Sequence, residues 1–205
     1  MELPHDPLNI IVSGVGGQGN ILASDIISRA FCEQGCIVSV GETYGATQRG
    51  GSVSSHIRIS NNHPYGPLIP LAQGHIIIGF EPLEVYRILA EYGHRGVRVV
   101  MNDRPFYPLD ALRKRRSYPP VQSLIKAIAD RADQFRVVEA TELAKEAGNP
   151  QTHNVVMVGA FAGLPWTSLG KERCLSPLAE VFSGEKLAVN RRAFELGYNA
   201  VSGKE

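Results

Sequence analysis

Cysteine, tryptophan and long apolar runs are what this chain has least of, and each shortage narrows its chemistry. Its three cysteines, Cys32, Cys36 and Cys174, are an odd set, which argues against a disulfide framework and for a reducing, cytoplasmic setting. An iron-sulfur cluster needs about four cysteine ligands, and only Cys32 and Cys36 are close in sequence. One helical turn apart on an apolar helix, they read as packing residues. Apolar runs such as Ile76-Ile77-Ile78 are far shorter than the ~20 residues of a membrane span, so no membrane partner is expected. An excess of charge is also missing. With 21 Lys and Arg against 20 Asp and Glu the formal net charge is +1, and no global field favours nucleic acid. Met1 to Pro7 hold Glu, His, Asp and two prolines, where an export signal needs a basic start and an apolar core.

What is present is a 43% hydrophobic content over 205 residues, enough for one large core. Residues 9–13 read as an apolar strand running into Gly14-Val15-Gly16-Gly17-Gln18-Gly19. A helix over 20–34 follows, with Ile21, Leu22, Ile26, Ile27, Ala30 and Phe31 at three- and four-residue spacing and Gly35 as its stop. Residues 36–40 form the next strand, and this unit opens a doubly wound sheet. A polar connector is expected over 41–51, then a half-exposed strand over 52–59 with Val53, Ile57 and Ile59 on one face and Ser54, His56 and Arg58 on the other. Further strands are expected at 75–80, 97–101 and 135–138, and helices at 82–92 and 121–133. Beyond 141 the pattern is helical only, at 141–147, 153–163, 176–182 and 186–201. The expected fold is α/β: a Rossmann-like, mostly parallel sheet with helices on both faces and a helical C-terminal layer. Residues 1–205 form one domain, with the core at about 9–140 and the helical part at about 141–201.

Two constellations carry chemistry. Gly14, Gly16 and Gly19 satisfy G-x-G-x-x-G between a strand and a helix, where backbone N–H groups and the helix dipole converge on one spot. The same glycines also permit a tight turn and close packing without any ligand. A NAD site needs an acid at the tip of the second strand, roughly 20 residues on; Glu42 lies too far along and Glu33 falls on the helix. The second constellation is the polar stretch 41–52. Thr43, Tyr44, Gln48, Arg49, Gly50, Gly51 and Ser52 offer donors, a guanidinium and free amides to a carboxylate or phosphate. With Gly14, Gly16, Gly17, Gln18 and Gly19 they form the expected ligand- or partner-facing loops. The run Arg113-Lys114-Arg115-Arg116 reads as a solvated face.

Taken in order, Gly14 to Gly19, Gln48-Arg49-Gly50-Gly51-Ser52-Val53, Phe80-Glu81-Pro82-Leu83-Glu84 and Arg192-Ala193-Phe194-Glu195-Leu196-Gly197 resemble the gamma-type domain of the 2-oxoacid:ferredoxin oxidoreductases. Within that family the likeness is to the beta subunit of the indolepyruvate enzymes. The resemblance implies a subunit of an enzyme that decarboxylates an aryl 2-oxoacid on thiamine diphosphate, passes electrons through iron-sulfur clusters to ferredoxin and hands the acyl group to coenzyme A. It implies that a larger partner carries the thiamine diphosphate and the clusters, so that this chain holds no stable cofactor or metal. Self-association, a free-standing nicotinamide or flavin enzyme and a non-enzymatic scaffold of the same fold are the competing expectations.

Overall fold

Leu8–Val15 is buried along its whole length, the mark of a strand covered on both faces, and the architecture grows outward from it. The computed structural model describes residues 1–45, 50–107, 117–167 and 169–202. The candidates Gln48 and Arg49 and the basic run at 113–116 lie outside the described residues. Six strands, β1 (Leu8–Val15), β2 (Ile37–Tyr44), β3 (Ser52–Ser60), β4 (Ile76–Gly79), β5 (Arg98–Asn102) and β6 (Gln134–Val138), form one sheet in the order β2-β3-β1-β4-β5-β6. β1, β4, β5 and β6 are mutually parallel neighbours. β3 runs antiparallel to both β1 and β2, so β2 points the same way as β1 but stands two places away.

Two expectations change here. β2 runs on to Tyr44, which puts Gly41 to Tyr44 in the sheet rather than in a connector. β3 is an interior strand and not a half-exposed one: Val53 to Ile57 are all buried, His56 completely. Its alternating pattern signals two differently lined faces, not one wet face. On the polar face the His56 ring accepts from the Ile69 N–H at Nδ1 (3.4 Å) and stands edge-on to Tyr92. Burial lowers its pKa, as expected where a charged imidazole would lose its hydration.

Helices cover both faces. α1 (Asn20–Cys32) lies on one side with α4 (Ala140–Ala147), α5 (His153–Gly163), α6 (Gly170–Val181) and α7 (Gly184–Val201). Their apolar residues merge with Leu8, Ile10, Val12, Ile76, Ile78 and Val100 into one core. α2 (Pro82–Tyr92) and α3 (Val121–Ala129) pack on the other side against Ile11, Ile77, Val99 and Met101. α6 starts six residues before the expected 176, because Pro177 sits inside it instead of opening it. Pro177, Cys174 and Leu178 are buried there, and that burial offsets the hydrogen bond the proline cannot make.

α5 is the centre of its layer, with every residue from Asn154 to Ala162 buried. It meets α7 backbone to backbone: a Cβ on Gly159 would strike the Phe194 carbonyl oxygen, and one on Gly197 would strike that of Val156. Gly197→Ala should therefore lower stability in urea denaturation. Alanine gains about 1 kcal/mol of helix propensity, but overpacking against a rigid carbonyl costs about 1–3 kcal/mol or more. A midpoint equal to or above that of the parent chain would show that the two helices yield easily.

Candidate functional site

The helix after β1 lies on one face and the helix after β4 on the other, although β1 and β4 are adjacent and parallel. The crevice beyond the C-terminal ends of two such strands is where open α/β sheets bind ligands. Here the crevice is bounded by the glycine turn on one side and Phe80 to Glu84 on the other. Gln18 joins them: its Oε1 accepts from the Val15 N–H (2.7 Å) and its Nε2 donates to the Phe80 carbonyl (3.3 Å). Gln18 thus holds the turn closed, and its amide is committed to the backbone.

The two sequence constellations meet. The Gly16 N–H donates to the Gly51 carbonyl (2.8 Å), and the Gly50 N–H donates to the Gly16 carbonyl (3.3 Å). Ser52 sits opposite Val15 in the ladder. Asn20 adds a buried tie, donating from Nδ2 to the Val53 carbonyl (3.0 Å). Tyr44, on β2 opposite Val53, is 48% exposed and shares the junction with Ile21, 54% exposed. These two side chains, Asn20, Val53 and the glycine turn line an open depression of about 420 Å³. Thr43 is not brought in. It points to the other face, where its Oγ1 lies 2.6 Å from Ser54 Oγ, and Ser54 is in turn 3.4 Å from His56 Nε2.

The glycines divide by role. Gly19 has φ 86°, and a Cβ there would collide with the Asn154 side chain, whose Nδ2 donates to the Gly19 carbonyl (3.4 Å). At Gly14 a Cβ would lie 2.7 Å from Gln18 Oε1 and 3.0 Å from the Phe80 Cβ. Both positions serve packing. Gly17, at φ 107°, faces open space. α1 has no side-chain cap and no acid in its first turn, which leaves its N-terminal field unopposed by the described residues.

Beyond the turn, Glu81 caps α2 and is 1% exposed. Its carboxylate accepts from the N–H groups of Glu84 (2.9 Å) and Phe106 (3.3 Å) and from the Tyr118 hydroxyl. Burial raises its pKa while the three donors oppose the rise, and the same burial with the neighbouring carboxylate raises that of Tyr118. His153 opens α5 edge-on to Phe80, with Nδ1 3.2 Å from the Pro150 carbonyl, and burial lowers its pKa. Sequence reasoning missed Asn20, Asn154, Glu81 and Tyr118 as builders of this region. The only signal was Pro82 at the first helical position, which marks the preceding residue as a cap.

These residues bear on two cofactor chemistries. Glu42 Oε2 accepts from Ser55 Oγ at 2.6 Å, so the acid nearest the required place is turned into the sheet and does not fit a dinucleotide ribose. Cys32, Cys36 and Cys174 are free, and no group of three or more His, Cys, Asp or Glu among the described residues is arranged to hold a metal ion. None of the described helices is long and apolar enough to cross a membrane.

The division of glycine roles leads to a direct test. Gly19→Ala should fold poorly, since it adds a clash to a left-handed backbone. Gly17→Asn should keep its melting temperature within a few degrees, because asparagine tolerates φ > 0 and has room. Circular dichroism melts of both variants decide this; equal damage from the two would make the whole turn a packing element.

Comparison with known proteins gives a consistent result. The pyruvate ferredoxin/flavodoxin oxidoreductase family model matches residues 9–200. The chain is 36% identical to the indolepyruvate oxidoreductase subunit IorB of Methanothermobacter thermautotrophicus over 194 residues, which cover 95% of this chain and 97% of that one. Its fold resembles the gamma subunit of a keto/oxoacid ferredoxin oxidoreductase from Geobacter sulfurreducens PCA, with TM-score 0.68, 20% identity and coverage of 94% and 97%. It also resembles part of a 2-oxoglutarate:ferredoxin oxidoreductase from Magnetococcus marinus, with TM-score 0.73, 21% identity and coverage of 96% of this chain and 31% of that one. The chain belongs to the pyruvate ferredoxin/flavodoxin oxidoreductase family and is homologous to the small subunits of 2-oxoacid:ferredoxin oxidoreductases.

Proposed function

We propose that this chain is the non-cofactor-bearing subunit of an oxidoreductase that converts an aryl 2-oxoacid, indolepyruvate in kind, to its acyl-CoA with ferredoxin as acceptor, and that it is inactive alone. The observation that carries the substrate class is the 36% identity, over nearly the full length, to a subunit named for indolepyruvate. In this reading a larger partner holds the thiamine diphosphate and the iron-sulfur clusters, which supply the decarboxylation and electron-transfer chemistry when bound, and coenzyme A enters a cleft shared between the subunits. The chain's own part is to shape that cleft. Ile21 and Tyr44 present apolar surface at its rim, while the uncapped start of α1 and the amide of Gly17 offer fixed donors to an anion. Arg49, next to Gly50, is assigned to the same anion.

The test is reconstitution with the large partner beside a thermal melt. Tyr44→Asp should weaken association by roughly 10- to 150-fold, the equivalent of losing about 1.5–3 kcal/mol of buried side chain. Arg49→Ala should reduce turnover or association by a similar factor of roughly 10- to 150-fold, since charge-assisted hydrogen bonds are worth ~1.5–3 kcal/mol. Neither change should shift the melting temperature of the isolated chain by more than a few degrees. Oxoacid oxidation by the purified chain alone, or unaltered assembly in both variants, would refute the reading.

A further inference from the structure

β2 is the last strand on its side of the sheet and is paired with β3 alone, so one row of its backbone groups is left without a ladder. The register identifies that row. The Gly45 N–H donates to the Ser52 carbonyl at 2.7 Å, directly after the Tyr44 and Val53 pair, and antiparallel pairing alternates from one residue to the next. Ser39, Gly41 and Thr43 therefore turn their N–H and C=O groups toward β3, while Val38, Val40, Glu42 and Tyr44 turn theirs outward. None of these outward groups has a partner among the described residues. The side chains of the same four oppose Ile59, Ile57, Ser55 and Val53 and lie on the α1 face of the sheet, where Val40 is 42% exposed.

Sheets guard an open edge with proline, lysine, a bulge or a short strand. β2 has none of these: it is eight residues long, its register with β3 skips no residue, and it holds neither proline nor a basic residue. Its one charge, Glu42, is drawn inward by the Ser55 and Ser24 hydroxyls (2.6 and 3.4 Å). The opposite edge, β6, has five residues and carries Arg136. An open row of amides and carbonyls specifies an extended strand as its occupant, and a second β2 has the matching pattern. Paired antiparallel about a two-fold axis at Gly41, it sets Val40 opposite Glu42 and Val38 opposite Tyr44 in both directions, and every outward N–H and C=O of the four residues finds a partner. An axis at Glu42 would oppose like charges, which is unfavourable, and one at Val40 would carry Tyr44 past the strand to Cys36. The formal net charge of +1 puts little repulsion between copies.

We infer that this chain binds a second copy of itself through the outer edge of β2, antiparallel and centred on Gly41, so that one sheet runs continuously across the pair. The contact is isologous and closes at two copies. It rests on backbone groups that the oxidoreductase reading does not use, and it adjoins the glycine-turn depression only at Tyr44. The two-fold axis points the two glycine-turn crevices in opposite directions along the shared sheet.

The experiment is sedimentation velocity of the full chain alone over a range of concentrations, where a species of twice the chain mass should grow in with concentration. Because the Val40 N–H faces away from β3, Val40→Pro keeps the internal ladder and removes one donor from each copy. Its dimer dissociation constant should rise by roughly 5- to 150-fold. Val40→Glu sets a new acid opposite Glu42 of the other copy, whereas Val40→Lys meets the same carboxylate with the opposite sign; the lysine variant should dimerise about tenfold more tightly than the glutamate one. Melting temperatures of the variants at dilutions where the parent is monomeric should agree within a few degrees, and the lysine and glutamate contrast serves if the proline variant folds poorly. A monomer at every concentration would overturn the inference, including one that uses this edge only toward a large subunit. So would a dimer indifferent to Val40→Pro, or one that Val40→Glu and Val40→Lys weaken equally.

Discussion

β3 is the strand on which the site depends. It is paired along its length with β1 on one side and β2 on the other, and its direction opposes both. An antiparallel strand returns its start to the level where its neighbour ends. The chain that leaves β2 at Tyr44 and enters β3 at Ser52 is therefore delivered to the C-terminal end of β1, where the glycine turn begins. The hydrogen bonds between Gly16 and the pair Gly50 and Gly51 are the local result of that global register.

The same arrangement explains what could be read from the sequence and what could not. The helix over Pro82 to Tyr92 was legible to the residue, because Glu81-Pro82 is a strong local start signal and Gly93 ends the apolar pattern. The glycine turn was legible for a similar reason: its residues act on their immediate neighbours. β3 was misread as half wet because alternation of apolar and polar residues looks the same whether the polar face meets water or meets Thr43, Ser54, His56 and Ile69 in a buried chain of hydrogen bonds. Only the sheet order distinguishes these cases, and that order is set by pairings distant in sequence.

Within the site, legibility depended on how far apart the partners are in the chain. Gly14 to Gly19 and Gly50 to Ser52 were recognisable as pieces, but the neighbour that makes glycine necessary at position 19 is Asn154, 135 residues away. Glu81 likewise gives no hint in sequence that it will hold Phe106 and Tyr118. Electrostatics follows the same logic at both ends of the parallel strands. At the C-terminal end the buried Glu81 carboxylate is satisfied by N–H and O–H donors; at the N-terminal end the His75 ring accepts the Asn9 N–H and the His94 ring the Gly96 N–H, each at Nδ1.

The crossing of α5 over α7 has a consequence for how this chain can diverge. Most contacts in a core join two side chains, and a loss on one side can be made good by growth on the other. Where Gly159 meets the Phe194 carbonyl and Gly197 meets that of Val156, there is no side chain to exchange. Compensation would require the helices to separate, and every apolar contact along their length would open with them. Sequence drift can thus repack the rest of this layer while these two positions stay fixed, pinning the spacing of two helices in a fold that persists at about one-fifth identity.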